Sequence, residues 1–212
     1  MTMKQITILI LGFFISTLAT KAQNATDLLN EVDTKVKSYK NIVIDFKYSL
    51  SNKKANVQQE TRGNVHLEGE KYLLNLMGST HLFDGRKLHV INDEDEEISI
   101  SNLNNDTDFT PSKMLSFYKK GYSSELDIIQ NVKGRKIQYV KLIPTEPNEE
   151  VKSILLGIDK ITKHIYKLII TQHNTTEVTI TVNKFKTNQP LSDTLFTFEA
   201  SKYEGYYINH LD

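Results

Sequence analysis

Cysteine and tryptophan are both absent from the 212 residues. The first absence excludes disulfide frameworks, cysteine-ligated zinc or iron–sulfur centres, thiol catalysis and a lipid anchor on an N-terminal cysteine. The second leaves ten tyrosines and nine phenylalanines to supply the aromatic surface. Neither sign of charge is in excess, with 26 basic and 26 acidic residues, so no global field favours a nucleic-acid partner. The nine glycines form no phosphate-binding loop, and neither Gly-x-Ser-x-Gly nor His-Glu-x-x-His occurs. There is no internal repeat, no low-complexity run and no linker that would divide the chain. What is present, 39% apolar and 25% charged residues, suits one buried core and not a disordered polyelectrolyte.

The one long apolar run lies at the start. Lys4 precedes an almost wholly apolar stretch from Ile6 to Leu18, and Ala19-Thr20-Lys21-Ala22 follows with small residues. That order is the order of a secretory signal peptide, and the stretch is shorter than the ~20 residues of a membrane span. Cleavage is expected after Ala22, so that 1–22 is a leader and 23–212 a single domain. The exported chain, beginning at Gln23, is expected to be soluble, in the periplasm of a bacterium with two membranes.

One helix opens the mature chain. Asn24 to Asp27 has the form of an N-cap with an acidic group three residues on. Leu28, Leu29, Val32, Val36 and Tyr39 follow at helical spacing, predicting an amphipathic helix over about 25–39 with Asn30, Asp33, Lys35 and Lys37 off its apolar stripe. The period then changes to two. Ile42, Ile44, Phe46, Tyr48 and Leu50 alternate with polar residues, and similar strands recur to Phe185 between polar turns, Asp84-Gly85 being the strongest hairpin signal. One further helix is expected at about 111–120, with Thr110 as cap, Pro111 at its first position and Gly121 as its stop.

About ten strands joined by short connections imply a mostly antiparallel sheet. Two short helices cannot cover such a sheet if it is flat. A curled, barrel-like sheet around the helices solves the burial problem and leaves room for an apolar cavity. The expected class is α+β, mostly antiparallel β.

Polar chemistry is sparse. His81 and His89 flank the Asp84-Gly85 turn, but whether they share a face depends on register. The acidic run at 93–97 lacks calcium-loop spacing and reads as a solvated turn. Lys35, Lys37 and Lys40 read as a solvated face. No metal, no cofactor and no catalytic constellation is expected. An enzyme on such a sheet would need convergent polar groups, for instance Tyr48 with His89.

Several segments in this order carry a family resemblance: Ile44-Asp45-Phe46-Lys47-Tyr48, Gly63-Asn64-Val65-His66-Leu67, Lys71-Tyr72-Leu73-Leu74-Asn75-Leu76 and Asp84-Gly85-Arg86-Lys87-Leu88, then Leu142-Ile143-Pro144 and Leu195-Phe196-Thr197-Phe198. Together they resemble the periplasmic outer-membrane lipoprotein carrier proteins (LolA-like). The resemblance implies an unclosed β-barrel with a helical lid over an apolar cavity. It implies a carrier that takes acylated lipoproteins from an inner-membrane lipoprotein-releasing transporter and passes them to an outer-membrane receptor. That receptor is anchored through a cysteine, so the lack of cysteine here favours the soluble carrier. The alternative is a lipid- or lipoprotein-sensing regulatory module of the same fold. Two departures stand out: His89 occupies a position that is usually aromatic, often Trp, in the family, and Glu68 to Lys71 lacks the arginine that helps latch the family's lid.

Strand parity then assigns the residues expected to bind lipid: Ile44, Phe46 and Tyr48; Val65 and Leu67; Tyr72, Leu74 and Leu76; Leu88 and Val90; Ile98 and Ile100; Ile154 and Leu156; Leu168 and Ile170; Val178, Ile180 and Val182. Met114, Leu115 and Tyr118 are added from the lid, flanked by expected hinges at Asn102–Asp108 and Gly121–Ser124. A monomer is expected.

Overall fold

The computed structural model describes residues 24–103, 110–148 and 150–211. The expected leader and most of the 102–108 hinge lie outside the described residues.

Helix α1 runs through 24–37, with Asn24 already helical rather than capping. Twelve strands follow: β1 (Ile42–Asn52), β2 (Val57–Glu68), β3 (Lys71–Leu76), β4 (Ser79–Phe83), β5 (Lys87–Asn92), β6 (Glu97–Asn102), β7 (Tyr122–Val132), β8 (Arg135–Pro144), β9 (Val151–Asp159), β10 (Ile165–Gln172), β11 (Glu177–Thr187) and β12 (Tyr207–Leu211). They form one sheet in the order β12-β6-β5-β4-β3-β2-β1-β11-β10-β9-β8-β7. Every pairing is antiparallel except that of β12, which joins β6 in parallel. Two hairpin meanders, β1–β6 and β7–β11, thus meet where β1 pairs with β11. The sheet curls without closing, as the burial argument requires.

The concave side holds the main core. Ala25, Leu29 and Val32 of α1 join Val140, Leu142, Ile154, Leu156 and Ile158 in one buried cluster that continues through Ile44, Val65 and Leu67. A second, smaller cluster occupies the opposite face. There Ile91, Ile98 and Ile100 pack under Phe198, Tyr203 and Tyr206 of the C-terminal segment. The parity expected for β6 is therefore corrected. Ile98 lies opposite Ile91 and Ile100 opposite His89, whereas the concave-side Val90 faces Ser99. Ile98 and Ile100 point away from the cavity because the C-terminal segment makes the outer face of β5 and β6 a second interior.

That segment is clasped where it leaves β11. The Asn41 side chain donates to Gln189 O and accepts from Gln189 N, each at 2.9 Å. His89 stacks on Phe198 at 4.3 Å between ring centroids, and Phe198 on Tyr203 at 5.6 Å.

The helix expected over 111–120 is shorter. Helix α2 comprises only Pro111–Met114, with Thr110 Oγ1 accepting from Lys113 N at 3.3 Å. Ser116 (φ −141°) ends helical geometry, and a 3₁₀ turn, Phe117–Lys119, turns the Tyr118 ring inward. Gly121 takes φ +80°, the left-handed conformation expected of a stop. The hinge expected at Gly121–Ser124 is strand from Tyr122 onward.

Candidate functional site

An apolar cavity of about 320 Å³ opens on the concave side of the sheet. Its walls come from β1, β2, β3, β9, β10 and β11, and Pro111, Met114 and Leu115 cover it. The residues expected from parity that line it are Ile44, Phe46, Tyr48, Val65, Leu67, Leu74, Leu76, Leu156, Leu168, Ile170, Val178, Ile180 and Val182. No charged side chain is among the lining residues, and the Tyr48 hydroxyl is their one polar side-chain group.

Other expected residues lie elsewhere. Tyr72, Tyr118 and Ile154 are buried in the main core, and Leu88 packs against it. Val90 shares the concave-side register but does not line the cavity. Ile98 and Ile100 lie on the opposite face, as described above.

Ile165 and Phe185 line the cavity although simple alternation does not assign them. Each sits beyond a bulge. The β10 register shifts between Ile165 and Lys167, so Ile165 and Leu168 share a face. The β11 register passes from Lys184 to Val182 opposite consecutive residues of β1, so Phe185 faces the same way as Val182. A bulge changes parity at one point and leaves the alternation on either side intact.

Gly63 explains how an aromatic ring fits this wall. A Cβ there would stand 2.5 Å from Phe46 Cζ and 2.8 Å from Asn75 O. Only glycine lets the Phe46 ring lie against the β2 backbone.

Residues 35–199 match the family of the outer membrane lipoprotein carrier protein LolA. The chain belongs to the LolA family. No curated protein sequence matches it. Among solved structures, an uncharacterized conserved protein from Thermus thermophilus aligns with a TM-score of 0.61 at 8% identity, over 89% of this chain and 99% of that one. That likeness is one of fold. A putative outer membrane lipoprotein-sorting protein domain from Vibrio parahaemolyticus aligns with a TM-score of 0.44 at 12% identity, over 83% and 97% of the two chains. A LolA superfamily protein from Nitrosomonas europaea gives 0.45 at 13% identity, over 82% and 97%.

His89, expected to depart from an aromatic position, stacks on Phe198. Its Nε2 stands 3.4 Å from Asp84 Oδ2, while Asp84 Oδ1 accepts from the backbone of Arg86 and Lys87. His81 instead pairs with Val90 on the concave side, where burial pushes its imidazole below its ordinary value. Thus the two histidines do not face each other, and Tyr48 and His89 do not converge. Among the described residues no group of three or more His, Asp or Glu side chains is placed as metal ligands would be.

No arginine lies at 68–71, but α2 and the turn after it have other ties. Ser112 Oγ donates to Gly69 O at 3.4 Å, and Lys119 Nζ donates to Asp33 Oδ2 at 2.7 Å. Asp33, expected off the apolar stripe of α1, is buried. Burial pushes its carboxyl up, but the hydrogen bonds and charges of Lys119 and Lys37 outweigh that and hold it below its ordinary value. Just past the C-terminal end of α1, the Tyr39 hydroxyl and His164 Nε2 are 2.8 Å apart, and His164 stacks on Phe185 at 4.1 Å. Burial, together with Lys35, pushes the His164 imidazole down.

Proposed function

We infer that this LolA-family protein is a carrier that shelters the acyl chains of lipoproteins in its apolar cavity and escorts them across the periplasm from the inner to the outer membrane. One observation carries the reading: a cavity whose lining side chains are aliphatic or aromatic, with one hydroxyl and no charge. Hiding roughly fifteen methylenes from water contributes on the order of 10 kcal/mol at ~0.8 kcal/mol each. A site of this kind needs no catalytic group, and a size near the lower end of the roughly 300–1,000 Å³ range of small-molecule sites suits chains that enter one or two at a time. Met114 on the cover supplies an unbranched side chain that adapts to varied chains.

The partners in this reading are acylated lipoproteins, an inner-membrane lipoprotein-releasing transporter and an outer-membrane receptor. Residues 1–22 act as the cleaved leader. Purification from the native periplasm followed by mass spectrometry should find acylated protein or lipid bound to a chain that begins at Gln23. A ligand-free protein that still begins at Met1 overturns the reading. Co-purification with a membrane signalling protein in place of a transporter would shift it to the sensing role.

A further inference from the structure

Beside the apolar cavity lies a second, polar one of about 310 Å³, and the two share Leu67 and Leu115 in their walls. Asp33, Lys37, Lys40, Glu70 and Ser116 are among the residues that line it. Asp33 is only 7% exposed. Its Oδ2 accepts from both Lys37 and Lys119, at 3.0 and 2.7 Å. Its Oδ1 is buried and takes no hydrogen bond from any described residue, and the buried Tyr118 hydroxyl likewise has no partner among the described residues. Two lysines keep the carboxylate charged, so it cannot meet the need by taking up a proton. A buried carboxylate oxygen without a donor is costly, and a bond to it from an N–H or O–H would be charge-assisted.

We propose that Asp33 reads the polar end of the bound molecule: the ligand is an acyl chain joined to an uncharged hydrogen-bond donor, a glyceryl hydroxyl or an amide N–H, with the chain in the apolar cavity and the donor on Asp33 Oδ1. The inference rests on the acyl-binding reading above and specifies its ligand class.

The test is displacement of the apolar fluorophore N-phenyl-1-naphthylamine by monooleoylglycerol, oleamide and methyl oleate. These probes share a chain length, and methyl oleate alone lacks a donor. The wild-type protein should favour at least one donor-bearing probe over methyl oleate by tenfold or more, and which one it favours tells hydroxyl from amide. In Asp33→Leu that preference should collapse to within about twofold. Should Asp33→Leu fail to fold, Asp33→Asn keeps the shape with a neutral acceptor, and the preference should fall at least threefold. Equal binding of all three probes by the wild type, or an unchanged preference in the variants, overturns the proposal and leaves acyl binding standing. If none of the probes binds, the acyl-binding reading fails and the proposal fails with it.

Discussion

Lys119, on the turn that follows the short helix over the cavity, donates to the same oxygen of Asp33 that Lys37 reaches from within α1. One carboxylate thereby joins the cover to the helix packed inside the sheet, across 86 positions of sequence. Lys119 is partly exposed, so the pair adds little to global stability. Lys119→Met should therefore leave thermal melting nearly unchanged. It should instead speed amide exchange across 111–119, since the loss is local. A large drop in melting temperature would mean that the pair holds the fold and not the cover.

The same carboxylate sets a pH dependence. Its folded pKa is depressed below the ordinary value of 3.8. A depressed carboxyl contributes stability that is fully present above its unfolded pKa and lost as the pH falls through the folded one. Melting of the wild type and of Asp33→Asn should differ most near neutrality. The difference should close below about pH 4, where the unfolded chain takes up the proton.

Two substitutions separate the cover from the core. Leu142 is fully buried away from the cavity lining, and Leu142→Ala should cost about 2–5 kcal/mol while the folded fraction still binds apolar fluorophores. Met114 is only half-buried and lines the cavity, so Met114→Asp should cost about 1 kcal/mol and abolish fluorophore binding. Unfolding of Met114→Asp would make α2 a structural prop.

Gly63→Ala places a methyl group where Phe46 and the Asn75 carbonyl stand, so the ring must swing into the cavity. Overpacking of this kind costs roughly 1–3 kcal/mol. Binding of long acyl probes should weaken in Gly63→Ala, and Phe46→Leu on that background should restore it. Denaturant melts and fluorophore titrations on the two variants decide the matter.

Phe198→Ala removes the partner of both the His89 and Tyr203 rings. It should cost about 1–3 kcal/mol and raise amide exchange at β12 and β6, the edge that the C-terminal segment covers. Binding in the cavity, on the other face of the sheet, should persist.

The alternation of apolar residues made most of the sheet and most of the cavity wall legible, because each strand of the barrel seam has one face on the interior and one on solvent. It failed where that premise fails. In β6 the outer face is buried under Phe198 and Tyr203, so Ile98 and Ile100 follow the wrong interior. At the bulges of β10 and β11 the parity is right on one side and reversed on the other, which hid Ile165 and Phe185. The helix signals at Thr110, Pro111 and Gly121 marked the ends of a segment correctly, but nothing between them announced the break at Ser116. Asp33 could have been found. It stands four positions after Leu29 and three before Val36, at the edge of the apolar stripe, and its charge argued against burial only until Lys119 is brought to it.

The pairing of β1 with β11 joins Ile42 to Thr187 and Ser51 to Glu177. All other neighbours within each meander are hairpin partners, so each half of the sheet can zip from local contacts while this one seam waits for nearly the whole chain. Ile44, Phe46 and Tyr48 stand on one side of the seam, and Val178, Ile180 and Val182 on the other, all on the cavity floor. A fragment that stops short of residue 178 therefore lacks half of that floor, however well its first six strands form. A molecule lying across the seam touches both halves at once, so its binding free energy adds to the closure of this long-range contact.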